Sequence, residues 1–321
     1  MVFMSKTRRA VSLTAAAVSV LLAAACAAPS GTGPAASQPG QLEIVAAFYP
    51  FQFVAERVAG PYATVSNLTQ PGAEPHDLEL TPRQVAHLST ADLVVYQKSF
   101  QAAVDEAVDQ SGVNNALDTA TVVALQPLDA PDDHDHEHGD AADEGAHGGL
   151  DPHVWLNPSQ LGTIATEVAR RLGEIDPSRR ADFDANARAL TDQLGTLDQD
   201  FRQGLSECAR QEFVTTHAAF GYLARRYDLE QLSISGLSPE SESSPTRLAE
   251  VQQEVRQHQI TTIFFETLVS PAVAQSLASD LGLQTDVLDP IEGITDQSRG
   301  SDYLAVMRAN LAALEKANEC R

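Results

Sequence analysis

The chain has 321 residues, with 44 acidic side chains against 21 basic ones and a formal net charge of −23. Its 43% hydrophobic and 20% charged residues match ordinary globular usage, which excludes wholesale disorder, a collagen-like chain and a polytopic membrane protein. The acidic excess also argues against a nucleic-acid binder, which needs Lys and Arg to neutralise phosphates, and suits a protein that works outside the cytosol or handles cations.

The N-terminus reads as an export signal. Lys6, Arg8 and Arg9 give a basic start, and 10–25 is an uncharged run of small and apolar residues. That run falls short of the roughly 20 residues of a transmembrane helix. It ends in Leu22-Ala23-Ala24-Ala25-Cys26, which resembles a bacterial lipobox. Residues 1–26 are then a lipoprotein signal peptide, and Cys26 is the lipidation site that tethers the mature chain to the outer face of the cell membrane. Ala23 stands where such a box usually has Leu. An ordinary signal cleaved after Ala25 or Ala28 is the alternative. Removing 1–26 takes away three positive charges and no negative one, moving the net charge from −23 to −26. Residues 27–41, rich in Ala, Pro, Gly and Ser, carry no charge and read as a flexible tether.

From residue 42 onward, strand-like and helix-like runs alternate. Strands are expected over 42–48 (LEIVAAF), 63–68, 91–96 and 121–125 (TVVAL), with helices over 51–59, 82–88 and 99–108. Apolar strands separated by helices predict a parallel sheet, the core of an N-terminal lobe spanning 42–175. Within it, residues 131–149 hold His134, His136, His138, His147 and seven carboxylates, with no Lys or Arg. This segment has no apolar periodicity and reads as a flexible auxiliary loop that gathers metal ions through weak, exchanging imidazole sites.

Residues 176–206 read as one linking helix, with a mobile helix–loop linker as the alternative. Asp176 and Pro177 suit its first turn, and Phe183, Ala187, Leu190, Leu194, Leu197, Phe201 and Leu205 recur on one face. Alternation resumes in a C-terminal lobe over 207–321. Strands are expected at 212–216, 231–234, 261–265 and 285–288, and helices at 218–227, 246–258, 271–281 and 302–317. The fold class is therefore α/β, with two small parallel-sheet lobes joined by a single long helix. With Cys26 lipidated, Cys208 and Cys320 remain as an even pair in an oxidising compartment, which suggests a disulfide; two separate buried thiols are the alternative.

The other histidines are dispersed. His76 follows the second strand, His153 lies just before a helix, and His217 ends a strand, as Asp289 does. Ligands of open α/β sheets bind at the carboxyl ends of strands, where His76, His217 and Asp289 fall. His87 and His258 sit in polar helical stretches and read as surface residues. Three imidazoles and a carboxylate make a four-coordinate set that suits Zn²⁺ and leaves no position for a reactive water. HExxH, GxSxG, GxxxxGK[ST] and GxGxxG are all absent from the sequence. Spacing alone does not single out these four residues.

The blocks PGAEPHDLELTPRQ, DPHVWLNP, FVTTHAAFGYLARRY, ISGLSPESESSP and LDPIEG…DYLAVMRANL resemble, in order, those of the metal-binding solute receptors of bacterial ABC importers. That family takes zinc, manganese or iron. The resemblance covers nearly all of 42–321 and implies two lobes on one long helix, with the ion held between them. It carries over His76, His153, His217 and Asp289 as metal ligands. It further implies an exported, non-enzymatic and monomeric receptor that hands Zn²⁺ to a permease and its ATPase. Manganese and iron receptors resemble one another in placing Glu at the third ligand position, so His217 and the His-rich loop favour zinc. A manganese or iron receptor of the same family is the alternative, and a secreted zinc hydrolase a more distant one. Glu74 and Glu266 are candidates for orienting a ligand imidazole.

Overall fold

The computed structural model describes residues 40–128, 149–241 and 243–321. The expected signal peptide with Cys26, most of the tether, and His134, His136, His138 and His147 lie outside the described residues.

The first lobe is built on β1 (Leu42–Ala46), whose Ile44, Val45 and Ala46 are fully buried, as a central parallel strand covered on both faces requires. Ile44 pairs with Val65 of β2 (Ala63–Asn67) on one side and with Leu93 of β3 (Leu93–Tyr96) on the other. A fourth strand, β4 (Ala116–Asp118), completes a parallel sheet of order β2-β1-β3-β4. The crossovers are α1 (Tyr49–Ala59), α2 (Pro82–Leu88) and α3 (Ala102–Ser111). A reciprocal cap between Thr81 and Gln84 starts α2, and Gly112 in the left-handed region stops α3.

The fourth strand lies at Ala116–Asp118 and not over 121–125. The Asp118 carboxylate accepts the Ala120 N–H and turns the chain into a 3-10 turn, Thr119–Thr121, so the β-branched run that follows has no strand to pair with. Beyond it, β5 (Gln126–Pro127) and β6 (Leu150–Asp151) form an antiparallel stem, with Gln126 opposite Asp151.

Asn157 caps α4 (Pro158–Ile175), and Asp176 caps a 3-10 turn, Pro177–Arg179, that leads into the long connecting helix α5 (Arg180–Gly204). At 1.5 Å per residue, its 25 residues span about 38 Å. The expected stripe from Phe183 to Leu205 is buried throughout. Part of what buries it is α4, which runs antiparallel to α5 with Gly162 against Thr191 and Leu194 and Gly173 against Arg180.

The second lobe repeats the first. Strands β7 (Glu212–Thr215), β8 (Glu230–Ser233), β9 (Thr262–Phe265) and β10 (Gln284–Val287) form a parallel sheet of order β10-β9-β7-β8. Its helices are α6 (Gly221–Arg226), α7 (Pro245–Gln257), α8 (Ala272–Leu281) and α9 (Tyr303–Asn318). A Cys208–Cys320 disulfide ties the end of α9 to the chain entering β7. One apolar cluster runs through the first lobe, the helix pair and the inner side of the second lobe, while Val214, Val251, Ile263 and Leu277 anchor a smaller one. The lobes are cross-bolted by buried polar contacts. Trp155 donates its indole N–H to the Pro290 carbonyl at 2.7 Å, and the Tyr303 hydroxyl donates to the Trp155 carbonyl at 2.6 Å. Among the described residues, no helix is long and apolar enough to cross a membrane.

Candidate metal centre

Both sheets point the carboxyl ends of their strands at the cleft between the lobes, and four side chains converge there. His76 sits in the loop after β2. Its backbone N–H is held by the Glu74 side-chain oxygen Oε1 at 3.1 Å, and the loop by Gln101, which donates to the Pro75 carbonyl at 3.1 Å. His153 follows β6. Asp151 Oδ1 accepts its backbone N–H at 2.9 Å and faces its ring Nδ1 at 2.8 Å. His217 lies two residues beyond β7. Glu266, at the end of β9, faces its Nδ1 at 2.5 Å and also accepts the Thr216 hydroxyl. Thr215 and Gln231 both donate to the His217 carbonyl and pin its backbone.

The fourth member is Glu292, five residues past β10. Its Oε1 lies 3.4 Å from Nε2 of His76, 3.4 Å from Nε2 of His153 and 3.8 Å from Nε2 of His217. One donor atom from each of the four residues falls within 4.8 Å of all the others. The side chains are closed off from solvent, His76 at 3% exposure being the most open. Buried polar atoms are nearly always hydrogen-bonded, yet Nε2 of His153, Nε2 of His217 and both Glu292 oxygens have no hydrogen-bond partner. With Nδ1 of His153 and of His217 each engaged by a carboxylate, their Nε2 atoms are left facing into the cavity. That is the donor set of a tetrahedral cation site.

Asp289, expected as the carboxylate ligand, does not join the three histidines. One of its oxygens accepts the Ile291 N–H at 2.8 Å and the other the Thr267 hydroxyl at 3.1 Å. Asn310 clamps its main chain from both sides. Ile291 has φ +62, a left-handed conformation that costs a β-branched residue about 1–3 kcal/mol. The Asp289 carboxylate and the Trp155 bond to Pro290 hold that turn, and the turn delivers Glu292 into the cavity. Asp289 is thus placed to support the residue that takes the position expected of it. Glu266 has the imidazole-orienting place expected of it, whereas Glu74 contacts the backbone of His76. Asp151, which the sequence reading passed over, orients His153; its signal is an Asp two residues before the His. His87 pairs with Glu43 and His258 with Glu212 and Glu254, all partly exposed and outside the cluster.

The electrostatics follow from burial and charge. Burial alone would lower His217, but the Glu266 charge and hydrogen bond, with Glu292, hold it well above the usual 6.5. His153 is raised likewise by Asp151 and Glu292 against the pull of burial. His76 is lowered, first by burial and then by the neighbouring imidazoles, against the attraction of Glu292. Burial would raise Glu292, but the surrounding imidazoles hold it well below the carboxylate range. Glu74 is pushed up to about 9 by burial and by the Glu292 charge, and therefore keeps its proton at neutral pH. The metal-free cavity is a carboxylate ringed by imidazoles, two of which, His153 and His217, hold protons that a metal ion must displace.

The chain is 37% identical over 286 residues to the zinc-binding lipoprotein AdcA of Streptococcus pneumoniae; the match covers 87% of this chain but only 56% of AdcA. It is 32% identical over 298 residues to the high-affinity zinc uptake system protein ZnuA of Bacillus subtilis, covering 92% and 93% of the two chains. The crystal structure of Zn(II)-bound AdcA from Streptococcus pneumoniae superimposes with a TM-score of 0.73 at 35% identity, covering 87% of this chain and 58% of that one. The family profile of the periplasmic component A of the zinc-uptake complex matches residues 44–317, and this chain belongs to that ZnuA family.

Proposed function

We propose that this protein is an extracytoplasmic zinc receptor that binds Zn²⁺ through His76, His153, His217 and Glu292 and delivers it to an ABC importer. The observation that carries the reading is the convergence of three imidazoles and one carboxylate in a closed cavity between two lobes, where Nε2 of His153, Nε2 of His217 and both Glu292 oxygens are buried without a hydrogen-bond partner. Borderline Zn²⁺ prefers such a nitrogen-rich set, whereas Mn²⁺ favours more oxygen. A manganese or iron receptor would be better served by a carboxylate at the place His217 occupies. Four protein ligands fill a tetrahedral shell and leave no position for a hydrolytic water, so the reading is non-catalytic.

Each lobe contributes two ligands, and all four are closed off from solvent, so release requires the lobes or their loops to shift when the protein docks. The partners in this reading are a membrane permease with its ATPase. The protein acts as a monomer held to the outer face of the membrane by a lipid on Cys26, and the 131–149 loop raises the local ion concentration. Isothermal titration of the metal-free protein tests the assignment. Zn²⁺ should bind at one tight site and outcompete Mn²⁺; tighter Mn²⁺ binding would overturn it.

A further inference from the structure

The segment of the second lobe that carries His217 continues into α6, and α6 grips the first lobe around Asp151. Three of its side-chain positions take part. Arg225 Nη2 lies 3.5 Å from Asp151 Oδ2. The Tyr222 hydroxyl donates to the Asp151 carbonyl at 3.0 Å and accepts the Gln126 N–H at 2.8 Å, bridging the β5–β6 stem. Gly221 leaves the space in which these groups meet. A Cβ there would stand 2.6 Å from Asp151 Oδ2 and 3.3 Å from Arg225 Nη2. The Arg225 guanidinium also lies over the Tyr222 ring, 5.2 Å from its centroid.

Asp151 is 1% exposed, so its carboxylate depends on the partners it has. One oxygen is committed to His153, accepting its backbone N–H and lying 2.8 Å from its ring Nδ1. The other points to Arg225. A carboxylate hydrogen-bonded at one oxygen and facing a guanidinium at the other loses rotational freedom, and with it the imidazole it holds. We propose that Arg225, in the room made by Gly221, is a positioning residue that acts through Asp151 to hold His153 as its Nδ1–H tautomer with Nε2 facing the ion. One segment of the second lobe thereby supplies a ligand of its own, His217, and orients a ligand of the other lobe. Zinc affinity is in this way tied to the register of the two lobes.

The inference rests on the zinc reading above, and the test separates the two. Zn²⁺ affinity is measured by competition with a chromophoric chelator for wild type, Arg225→Ala, Arg225→Lys and Gly221→Ala. The His153 Nδ1–H proton of the zinc-bound proteins is followed by NMR, and folding is checked by circular dichroism. Partners of metal-bound imidazoles typically contribute 10–100-fold to affinity, so Arg225→Ala should bind about tenfold more weakly. Its His153 Nδ1–H signal should shift and exchange faster with water. Arg225→Lys, which restores the charge, should recover most of the loss. Gly221→Ala, which drives a methyl into Asp151, should reproduce the loss while leaving Arg225 intact. Wild-type affinity in Arg225→Ala would overturn the inference, and so would weakened binding with an unchanged His153 signal, because the effect would not then pass through His153. Failure of the wild-type protein to bind Zn²⁺ would instead overturn the functional reading.

Discussion

Glu292→Gln removes one charge and almost no volume from the centre of the site. In the metal-free cavity Glu292 Oε1 lies 3.4 Å from two imidazole nitrogens. At an effective dielectric constant of about 20, attraction at that distance amounts to about 5 kcal/mol per cationic partner. This attraction helps to raise His153 and His217 above 6.5, so that both are more than half protonated at pH 6.5. Zinc must displace those protons. With the metal bound, losing one charged member of a buried cluster costs about 3–5 kcal/mol. That predicts a Zn²⁺ dissociation constant raised roughly 150- to 5,000-fold. Isothermal titration at pH 6.5 in buffers of different ionisation enthalpy reads affinity and proton release together. The variant should bind far more weakly and release fewer protons than wild type. Affinity within about threefold of wild type, or unchanged proton release, would refute the placement of Glu292 in the site.

Asp289→Asn should be mild by comparison, within tenfold of wild type, because an amide oxygen still accepts the Ile291 N–H; a loss matching Glu292→Gln would mean that Asp289 is itself a ligand. Zn²⁺ affinity should climb as pH rises above 6.5, when His153 and His217 give up their protons, and a flat profile from pH 6 to 8 would contradict the raised values. The same two groups stabilise the metal-free fold fully below 6.5 and lose that contribution as pH rises through their folded-state values, so its melting temperature should fall above pH 6.5. Replacing Cys208 and Cys320 by Ala opens a link across 112 residues and should cost about 2–5 kcal/mol in denaturant unfolding, with zinc affinity unchanged because the bond lies at the opposite end of β7 from His217. Deleting 132–147 leaves the β5–β6 stem and should leave tight binding intact; its abolition would refute the division between loop and main site.

The two lobes, the connecting helix and three of the four converging residues were legible in the sequence for different reasons. The lobes follow from apolar strands separated by helices, and the helix from a stripe that runs unbroken from Phe183 to Leu205. The histidines became specific through the family blocks around them, since spacing alone does not select them. The carboxylate was misread because the choice between Asp289 and Glu292 is made by a left-handed turn at Ile291, held by Asn310 and by Trp155 from distant segments. Such a turn has no local signature at a β-branched residue. The fourth strand was misplaced for a related reason. The run over 121–125 has strand propensity, but a single Asp118 side chain bends the chain before it. The partnering of α4 with α5 is tertiary packing at Gly162 and Gly173, which propensity does not carry.

A crystal structure of the zinc-loaded protein, with diffraction recorded on both sides of the zinc absorption edge, tests the central claim most directly. The account predicts one strong anomalous peak between the lobes, with Nε2 of His76, His153 and His217 and a Glu292 oxygen at about 2.0–2.2 Å. A peak elsewhere, or a zinc ion bound by the three imidazoles with Asp289 or a water in place of Glu292, would contradict it.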